Sequence, residues 1–185
     1  METLDAIYKR RSIRKFLDTP VEKEKLECLL KAGFSAPSAV NAQPWEFVVI
    51  TEQETLEELK KHLIFARYNA QAAILVCGNM KLSLKGADKE QWVQDCSAAM
   101  ENILLAGTDI GLGTVWIGIY PVDTRIKHLR KILNIPDYVV PFGMAYIGYP
   151  AQELEGRSQY NEKRVYWEMY DRERKHRTKD KPIHS

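Results

Sequence analysis

Residues 98–118 have the sequence AAMENILLAGTDIGLGTVWIG, in which a helical pattern meets two glycines and then a run of β-branched and aromatic residues. The helical spacing of apolar residues begins near Lys89 and continues to Ile110. Because apolar or small residues surround much of this helix, we expect it to be buried in a core or a subunit interface. Gly111 and Gly113 predict a helix stop with close packing, and residues 115–117 predict a strand.

Helix and strand patterns alternate on both sides of this stretch. The tetrads beginning at Thr19 and Thr51 each match a capping box, and Asp123 is predicted to cap a third helix. Continuous apolar runs predict strands that helices cover on both faces. These runs lie at 47–50, 73–77, 115–117 and 144–147. The predicted architecture is an α+β sandwich of helices around a mixed sheet.

Composition limits the classes of protein to consider. A chain of 185 residues that is 45% hydrophobic and 28% charged fits one globular domain, which we place at residues 1–170, followed by a polar basic tail at 171–185. The 27 basic and 25 acidic residues give a net charge of +2, which argues against a dedicated nucleic-acid binder. The tail itself is better interpreted as a solvated terminus than as a binding arm.

Location and redox state are predicted from what the sequence lacks. The first residues form no apolar signal segment, and no apolar run approaches the roughly 20 residues of a membrane helix. Cys28, Cys77 and Cys96 are an odd number without a CxxC pair, and their patterns suggest small core residues. We therefore expect a cytoplasmic protein with no structural metal and no disulfide framework.

Two segments on the N-terminal side of the long helix have the composition of binding sites. The first, 9–15, has the sequence KRRSIRK, which offers guanidinium groups and a hydroxyl to a phosphate, although a solvated basic face is an equal alternative. The second, 35–45, has the sequence SAPSAVNAQPW, whose side-chain amides suit the edge of a heterocycle. An irregular, well-packed loop is the alternative there. Pro44 also excludes Gln43 from helical geometry.

The glycine segment at 111–119 and the usual catalytic motifs give weaker signals. The order helix, glycines, strand does not match the strand–GxGxxG–helix order of dinucleotide-binding folds. Motifs for nucleophilic hydrolysis, for a P-loop and for a HExxH zinc site are absent. If the chain is an enzyme, we therefore expect a cofactor to supply the chemistry.

Taken together and in this order, the three segments resemble the nitroreductase family of FMN-dependent oxidoreductases. The matching stretches are RRSIRKF at 10–16, APSAVNAQPWEFVVI at 36–50 and AAMENILLAGTDIGLGTVWIG at 98–118, with PFGMAYIGYPAQE and KRVYWEMY continuing the likeness to about Tyr170. The resemblance implies a three-layer α+β sandwich, with a mixed, mostly antiparallel sheet flanked by helices, in an interlocked homodimer. The helix around Met100 would form much of the dimer core.

The resemblance also implies an FMN site at the subunit interface. The residues that would hold the phosphate and the ribityl chain are Arg10, Arg11, Ser12 and Arg14. The residues that would reach over the cofactor from the partner subunit are Pro37, Ser38, Ala39 and Asn41, with Gln43 in support. A basic residue near the C-terminus would complete the phosphate site; the matches are Lys163 and Arg164, with Arg157 as a further candidate.

The implied chemistry needs no catalytic side chain from the protein. The backbone N–H groups of Gly118 or Ile119 would contact flavin N5, and since relatives often have an acidic residue where Ile117 stands, only the backbone role is transferred. The implied activity is hydride transfer from NADH or NADPH to FMN, followed by electron transfer to a nitroaromatic, a quinone or a similar flat small molecule, by a ping-pong route.

Two alternatives remain open at this point. One keeps the fold and FMN with a specialised reaction, such as reductive dehalogenation or oxidation of a metabolite. The other is a non-enzymatic protein that binds RNA or an acidic partner through residues 9–15 and the basic tail, against which the net charge of +2 weighs.

Overall fold

The computed structural model describes residues 1–173, and its helices and strands alternate through residues 23–148. Of the predicted tail, 174–185 therefore lie outside the described residues. The helices are α1 (Thr3–Lys9), α2 (Lys23–Phe34), α3 (Gln53–His62), α4 (Gln91–Asp109) and α5 (Asp123–Leu133). The strands are β1 (Trp45–Ile50), β2 (Ala72–Asn79), β3 (Gly113–Gly118) and β4 (Val139–Gly148). Each predicted apolar run lies within one of these strands.

The four strands form a sheet in the order β1-β2-β4-β3, in which every neighbouring pair is antiparallel. A parallel bridge joins Ser12 to Thr114 on the outer edge of β3. The four-stranded sheet is thus antiparallel, in agreement with the predicted mostly antiparallel sheet, and the parallel bridge lies outside the four strands. The central strands β2 and β4 are buried almost throughout, because helices cover both of their faces.

Residues of each strand alternate between two apolar layers. On β3, Val115 and Ile117 pack with apolar residues of α3 and α5, such as Leu59 and Leu129. Trp116 points the other way, into the layer formed by α2 and α4. The chain is therefore the three-layer α+β sandwich that the sequence predicted, with α4 across the sheet face that carries Trp116.

Both predicted capping boxes are wrong. Helix α2 begins at Lys23 rather than after Thr19, and its N-cap residue Glu22 makes no side-chain cap bond. The reason is tertiary: Val21 is buried, and the Glu22 carboxylate accepts a hydrogen bond of 2.7 Å from the Tyr149 hydroxyl, so the chain stays extended up to the helix. Helix α3 likewise begins at Gln53, without a side-chain cap bond from the residue before it.

The cysteines divide into one exposed and two buried thiols. Cys77 and Cys96 are completely buried, as predicted, and the Cys96 thiol lies 3.6 Å from the Cys77 carbonyl oxygen. The prediction that Cys28 is a core residue is wrong. It lies on the solvent side of α2, whose inner side consists of Leu26, Leu29 and Gly33. None of the helices in residues 1–173 combines the length and the apolar character that crossing a bilayer requires.

Candidate active site

The basic segment 9–15 lies along the outer edge of β3. The Ile13 backbone N–H donates to the Thr114 carbonyl at 2.9 Å, next to the bridge at Ser12. A Cβ atom on Gly113 would lie 2.8 Å from the Ile13 side chain, so the close approach of the two segments requires glycine there. The sequence thus fixes the basic segment against the strand that follows α4.

Each arginine of this segment makes one local contact. The Arg10 Nε atom lies 3.3 Å from a carboxylate oxygen of Glu101 on α4, and the Arg11 guanidinium donates to the backbone carbonyl of Glu155. Arg14 donates to the Ser12 carbonyl at 3.4 Å. A guanidinium carries five N–H donors, so each of the three retains donors for an anion.

A groove of about 650 Å³ opens beside the basic segment. One wall is the segment 149–157, which runs antiparallel to residues 8–17 through backbone bonds such as Ala151 N–H to Lys15 O at 3.0 Å. The Arg157 N–H donates to the Tyr8 carbonyl at 3.0 Å, which places this arginine beside the basic segment. Lys163 and Arg164 lie farther along the chain, in the exposed turn Glu162–Arg164.

The second predicted segment forms a strained loop before β1. Val40, Asn41 and Gln43 have φ angles of 44°, 57° and 46°, in the left-handed region that costs a non-glycine residue about 1–3 kcal/mol. Gln43 is thus outside right-handed helical geometry, as Pro44 predicts. Val40 is β-branched and 83% exposed, which makes its conformation the least favourable of the three.

Two hydrogen bonds hold this loop. The Ser38 hydroxyl oxygen accepts the Gln43 N–H at 3.0 Å, and a carboxylate oxygen of Asp95 accepts the Ala39 N–H at 2.8 Å. Asp95 lies on α4 and is only 5% exposed. It also lines a depression of about 300 Å³ between Pro37 and the outward side of that helix. The loop is therefore anchored to the helix that crosses the sheet.

The third segment ends at an open backbone edge. Gly111 follows α4 with φ of 78°, which is the left-handed helix stop that the sequence predicts. Alternate residues of an edge strand direct their backbone groups to the same side, and Thr114 directs its carbonyl outward to Ile13. Gly118 has the same orientation as Thr114. No atom lies within 4 Å of the place that a Gly118 Cβ would take, so a flat ligand has room to reach this peptide.

The neighbours of Gly118 can take part only through their backbone. The Ile117 and Ile119 side chains are 3% and 0% exposed and belong to the core. The Gly118 carbonyl accepts a hydrogen bond of 2.9 Å from Arg125, in the first turn of α5. The basic segment 9–15 contacts the start of β3 at Gly113 and Thr114, and Gly118 ends the same strand, so both lie along one edge of the sheet.

The strained loop lies at the opposite edge. It leads into β1, and β2 and β4 lie between β1 and β3. With about 4.8 Å between neighbouring strands, the two edges are roughly 14 Å apart. One chain therefore does not place residues 37–43 over Gly118.

Sequence reasoning missed two residues of this region. Asp95 is a carboxylate on a mostly apolar helix, a pattern that could have indicated a buried role. Arg125 places a cation in the first turn of a helix, where the helix dipole disfavours positive charge. That conflict between sequence and local electrostatics is the signal that could have singled it out.

Comparison with known proteins extends these observations. The model of the nitroreductase family matches residues 7–72 and 64–149. A protein of Archaeoglobus fulgidus with a provisional NADH dehydrogenase/NAD(P)H nitroreductase name is 44% identical over 174 residues, which cover 91% of this chain and 99% of that protein.

Two solved structures are similar along nearly their whole length. The FMN-dependent nitroreductase of Clostridium difficile R20291 is 30% identical with a TM-score of 0.81, and the match covers 90% of this chain and 99% of that one. A Desulfovibrio desulfuricans protein, provisionally assigned as a nitroreductase and solved in complex with FMN, is 28% identical with a TM-score of 0.76. The match covers 92% of this chain and 99% of that protein.

Proposed function

The chain belongs to the nitroreductase family, and from that premise we propose an FMN-dependent enzyme that passes electrons from NADH or NADPH to a nitroaromatic, a quinone or a similar flat acceptor by a ping-pong mechanism. The names of its relatives support the coarser part, an FMN-dependent NAD(P)H oxidoreductase. The observation that carries the proposal is the shared edge of the sheet: the basic segment 9–15 contacts the start of β3 at Thr114, and the open backbone at Gly118 ends the same strand.

The donors at this edge fit FMN. Arg10, Arg11 and Arg14 offer charged N–H groups to a phosphate, and the Ser12 hydroxyl offers a further bond. When bound, FMN supplies the capacity to take up a hydride from a nicotinamide and to give two electrons to a second molecule. The protein contributes the binding, the orientation and the electrostatics.

The peptide at Gly118 is the part of the chain that faces the reacting ring in this proposal. Its N–H, or that of Ile119, would donate to flavin N5, and the absence of a side chain at Gly118 lets a flat ring approach the backbone. The Ile117 and Ile119 side chains stay in the core, which fixes the direction of the peptide. No side-chain acid or base is assigned to the hydride step.

We also propose that the complete site needs two copies of the chain. Residues 37–43 lie at the other edge of the sheet, so Pro37, Ser38, Ala39 and Asn41 would cover the cofactor of a partner, supported by Gln43. The outward side of α4 is rich in small and apolar residues such as Ala98 and Leu105, which suits close packing of two helices. Met100 itself is fully buried against its own sheet and packs within one chain.

Large exposed apolar side chains support the same dimer. They lie on α1 and in the C-terminal segment, and include Leu4, Ile7, Tyr8, Trp167, Met169 and Tyr170. Exposed apolar surface of this extent is typical of protein interfaces. Lys163 and Arg164 precede the C-terminal group and would complete the phosphate site, whereas Arg157 is the basic residue already beside Tyr8.

The visible absorption spectrum of the purified protein tests this function. We expect flavin bands that bleach when NADH or NADPH is added without oxygen, and that return on addition of a quinone or a nitroaromatic. A colourless protein that does not acquire flavin bands with added FMN would overturn the proposal. Bands that bleach but return with none of these acceptors would overturn the acceptor class alone.

A further inference from the structure

We propose that Arg125 makes the site selective for acceptors that carry a carboxylate beside the flat reacting ring. This inference rests on the proposed function and names the substrate class of the same site. It starts from the contact between Arg125 and the Gly118 peptide, which holds a cation at the place where the chain faces the cofactor.

Two contacts fix the Arg125 guanidinium. One N–H donates to the Gly118 carbonyl at 2.9 Å, and the guanidinium carbon lies 4.1 Å from the centre of the Phe65 ring. An aromatic face attracts a cation and orients the guanidinium plane. Since hydrogen bond and ring act together, the group is preorganised before any ligand arrives.

The other donors of this guanidinium remain available. No carboxylate oxygen of residues 1–173 lies within ion-pairing distance of Arg125. Arg130 of the same helix differs, because it donates to the carbonyls of Asp137 and Val139. Arg125 thus presents a partly unsatisfied fork, and the geometry of such a fork matches a carboxylate.

The position of Arg125 is unfavourable for the helix alone. It lies in the first turn of α5, where the helix dipole disfavours positive charge. A bound anion at this place would interact favourably both with Arg125 and with the N-terminus of α5. Binding of an anion therefore explains the presence of a cation in this turn, whereas the stability of α5 alone does not.

Apolar surface next to Arg125 suits the ring of the same ligand. Phe65, which contacts the guanidinium, is 45% exposed, and Ile64 before it in the chain is 68% exposed. Val122, whose carbonyl accepts the Arg125 N–H, is 37% exposed. These side chains offer a surface to a flat ring, while the guanidinium offers a bidentate contact to its carboxylate. An aromatic carboxylate therefore fits this region better than a neutral quinone of the same size.

Binding to the oxidised, FMN-loaded protein tests the inference without turnover. Benzoate and benzamide are titrated in turn, and the change in the flavin absorption bands gives the two dissociation constants. A charged hydrogen bond predicts that benzoate binds about ten- to a hundredfold more tightly than benzamide. Arg125→Gln should bring the ratio of the benzamide to the benzoate dissociation constant close to one, and Arg125→Lys should leave an intermediate ratio.

Lys127→Gln is the matched control, since it removes one positive charge from the same helix without touching Gly118 or Phe65. An equal loss of selectivity in this variant would overturn the proposal in favour of a general charge effect. An unchanged benzoate to benzamide ratio in Arg125→Gln would overturn it directly. Failure of the wild-type protein to take up FMN would overturn the proposed function instead.

Turnover distinguishes an acceptor from the nucleotide as the source of the anion. The ratio of kcat/KM for 4-nitrobenzoate over 4-nitrobenzamide should fall about tenfold or more in Arg125→Gln. A raised KM for NADH or NADPH with an unchanged acceptor ratio would overturn the proposal and assign Arg125 to the phosphates of the nucleotide.

Discussion

The carboxylate of Asp95 accepts the backbone N–H of Ala39 at 2.8 Å, and this bond joins the strained loop before β1 to α4. Asp95 is 5% exposed and makes this bond from the side of α4 that faces the loop. A nearly buried carboxylate is costly unless it is hydrogen-bonded. The loop and the carboxylate therefore stabilise each other.

Asp95→Ala should weaken FMN binding, because the loop that we propose to cover the cofactor would lose its anchor. A hydrogen bond to a charged group contributes about 1.5–3 kcal/mol, so the dissociation constant should rise about ten- to a hundredfold. The quenching of FMN fluorescence during titration with protein measures this dissociation constant. Asp95→Asn keeps an acceptor oxygen and is the control. Equal FMN affinity in wild type and Asp95→Ala would show that the loop needs no anchor.

Val40→Gly should stabilise the protein. The native φ of 44° strains a β-branched residue by about 1–3 kcal/mol, and glycine removes this strain while adding about 0.5–1 kcal/mol of chain entropy to the unfolded state. The net gain in the free energy of unfolding should be about 1 kcal/mol. Urea denaturation measures it. Ala42→Gly, at an ordinary φ of −67°, should instead lower stability, and a loss in both variants would contradict the strain argument.

Arg14→Ala should reduce FMN retention. Arg14 lies in the exposed part of the basic segment. Loss of its contact to a phosphate should raise the FMN dissociation constant about ten- to a hundredfold. The flavin-to-protein ratio after gel filtration gives a first reading, and titration gives the constant. Arg67→Ala removes an exposed cation that lines a separate depression beside α3, and should retain FMN. Equal retention in both variants would count against the basic segment as the phosphate site.

High pH should destabilise the protein through Cys77. Burial raises the pKa of this thiol to about 12, whereas an unfolded thiol loses its proton near pH 8.5. Above that pH the unfolded state binds fewer protons than the folded state, so stability falls as pH rises. The contribution is about 1.4 kcal/mol for each pH unit until the folded pKa is reached. Urea denaturation between pH 8 and 10 should show a shallower fall in Cys77→Ala. Parallel curves would contradict this origin.

The sequence predicts the layers of this fold better than the starts of its helices. Runs such as 73–77 are apolar enough to be strands in any arrangement that covers both faces, and they are strands here. The box at Thr19 fails because Val21 and Glu22 have partners far away in sequence, which no local pattern contains. Cys28 fails for the same reason, since the side of α2 that faces inward is set by its neighbours.

The site is predictable only as segments. The basic segment and the glycines before β3 are visible in the sequence, and the structure brings them together at one edge. Arg125 and Asp95 are single residues whose roles depend on a carbonyl and an N–H from other elements. The sequence marks each residue as unusual for its helix, but it does not show which backbone group the side chain contacts, which is why sequence reasoning missed both roles.

A mixture of two impaired variants tests whether the site is shared between subunits. Arg14→Ala impairs the basic segment, and Asp95→Ala impairs the loop at the opposite edge of the sheet. If each site combines the segment of one chain with the loop of the other, a heterodimer of the two variants has one intact site and one site with both defects. Its FMN titration should then show wild-type affinity at half of the sites.

Sites built within one chain give a different result. Every site of the heterodimer would then carry exactly one defect, and no tight FMN binding would return on mixing. Purification through two different tags isolates the heterodimer, and each homodimer treated in the same way is the control. Since the two edges are roughly 14 Å apart in one chain, we expect wild-type FMN affinity at half of the sites. If no site binds FMN tightly, the loop and the basic segment of different chains do not form one site.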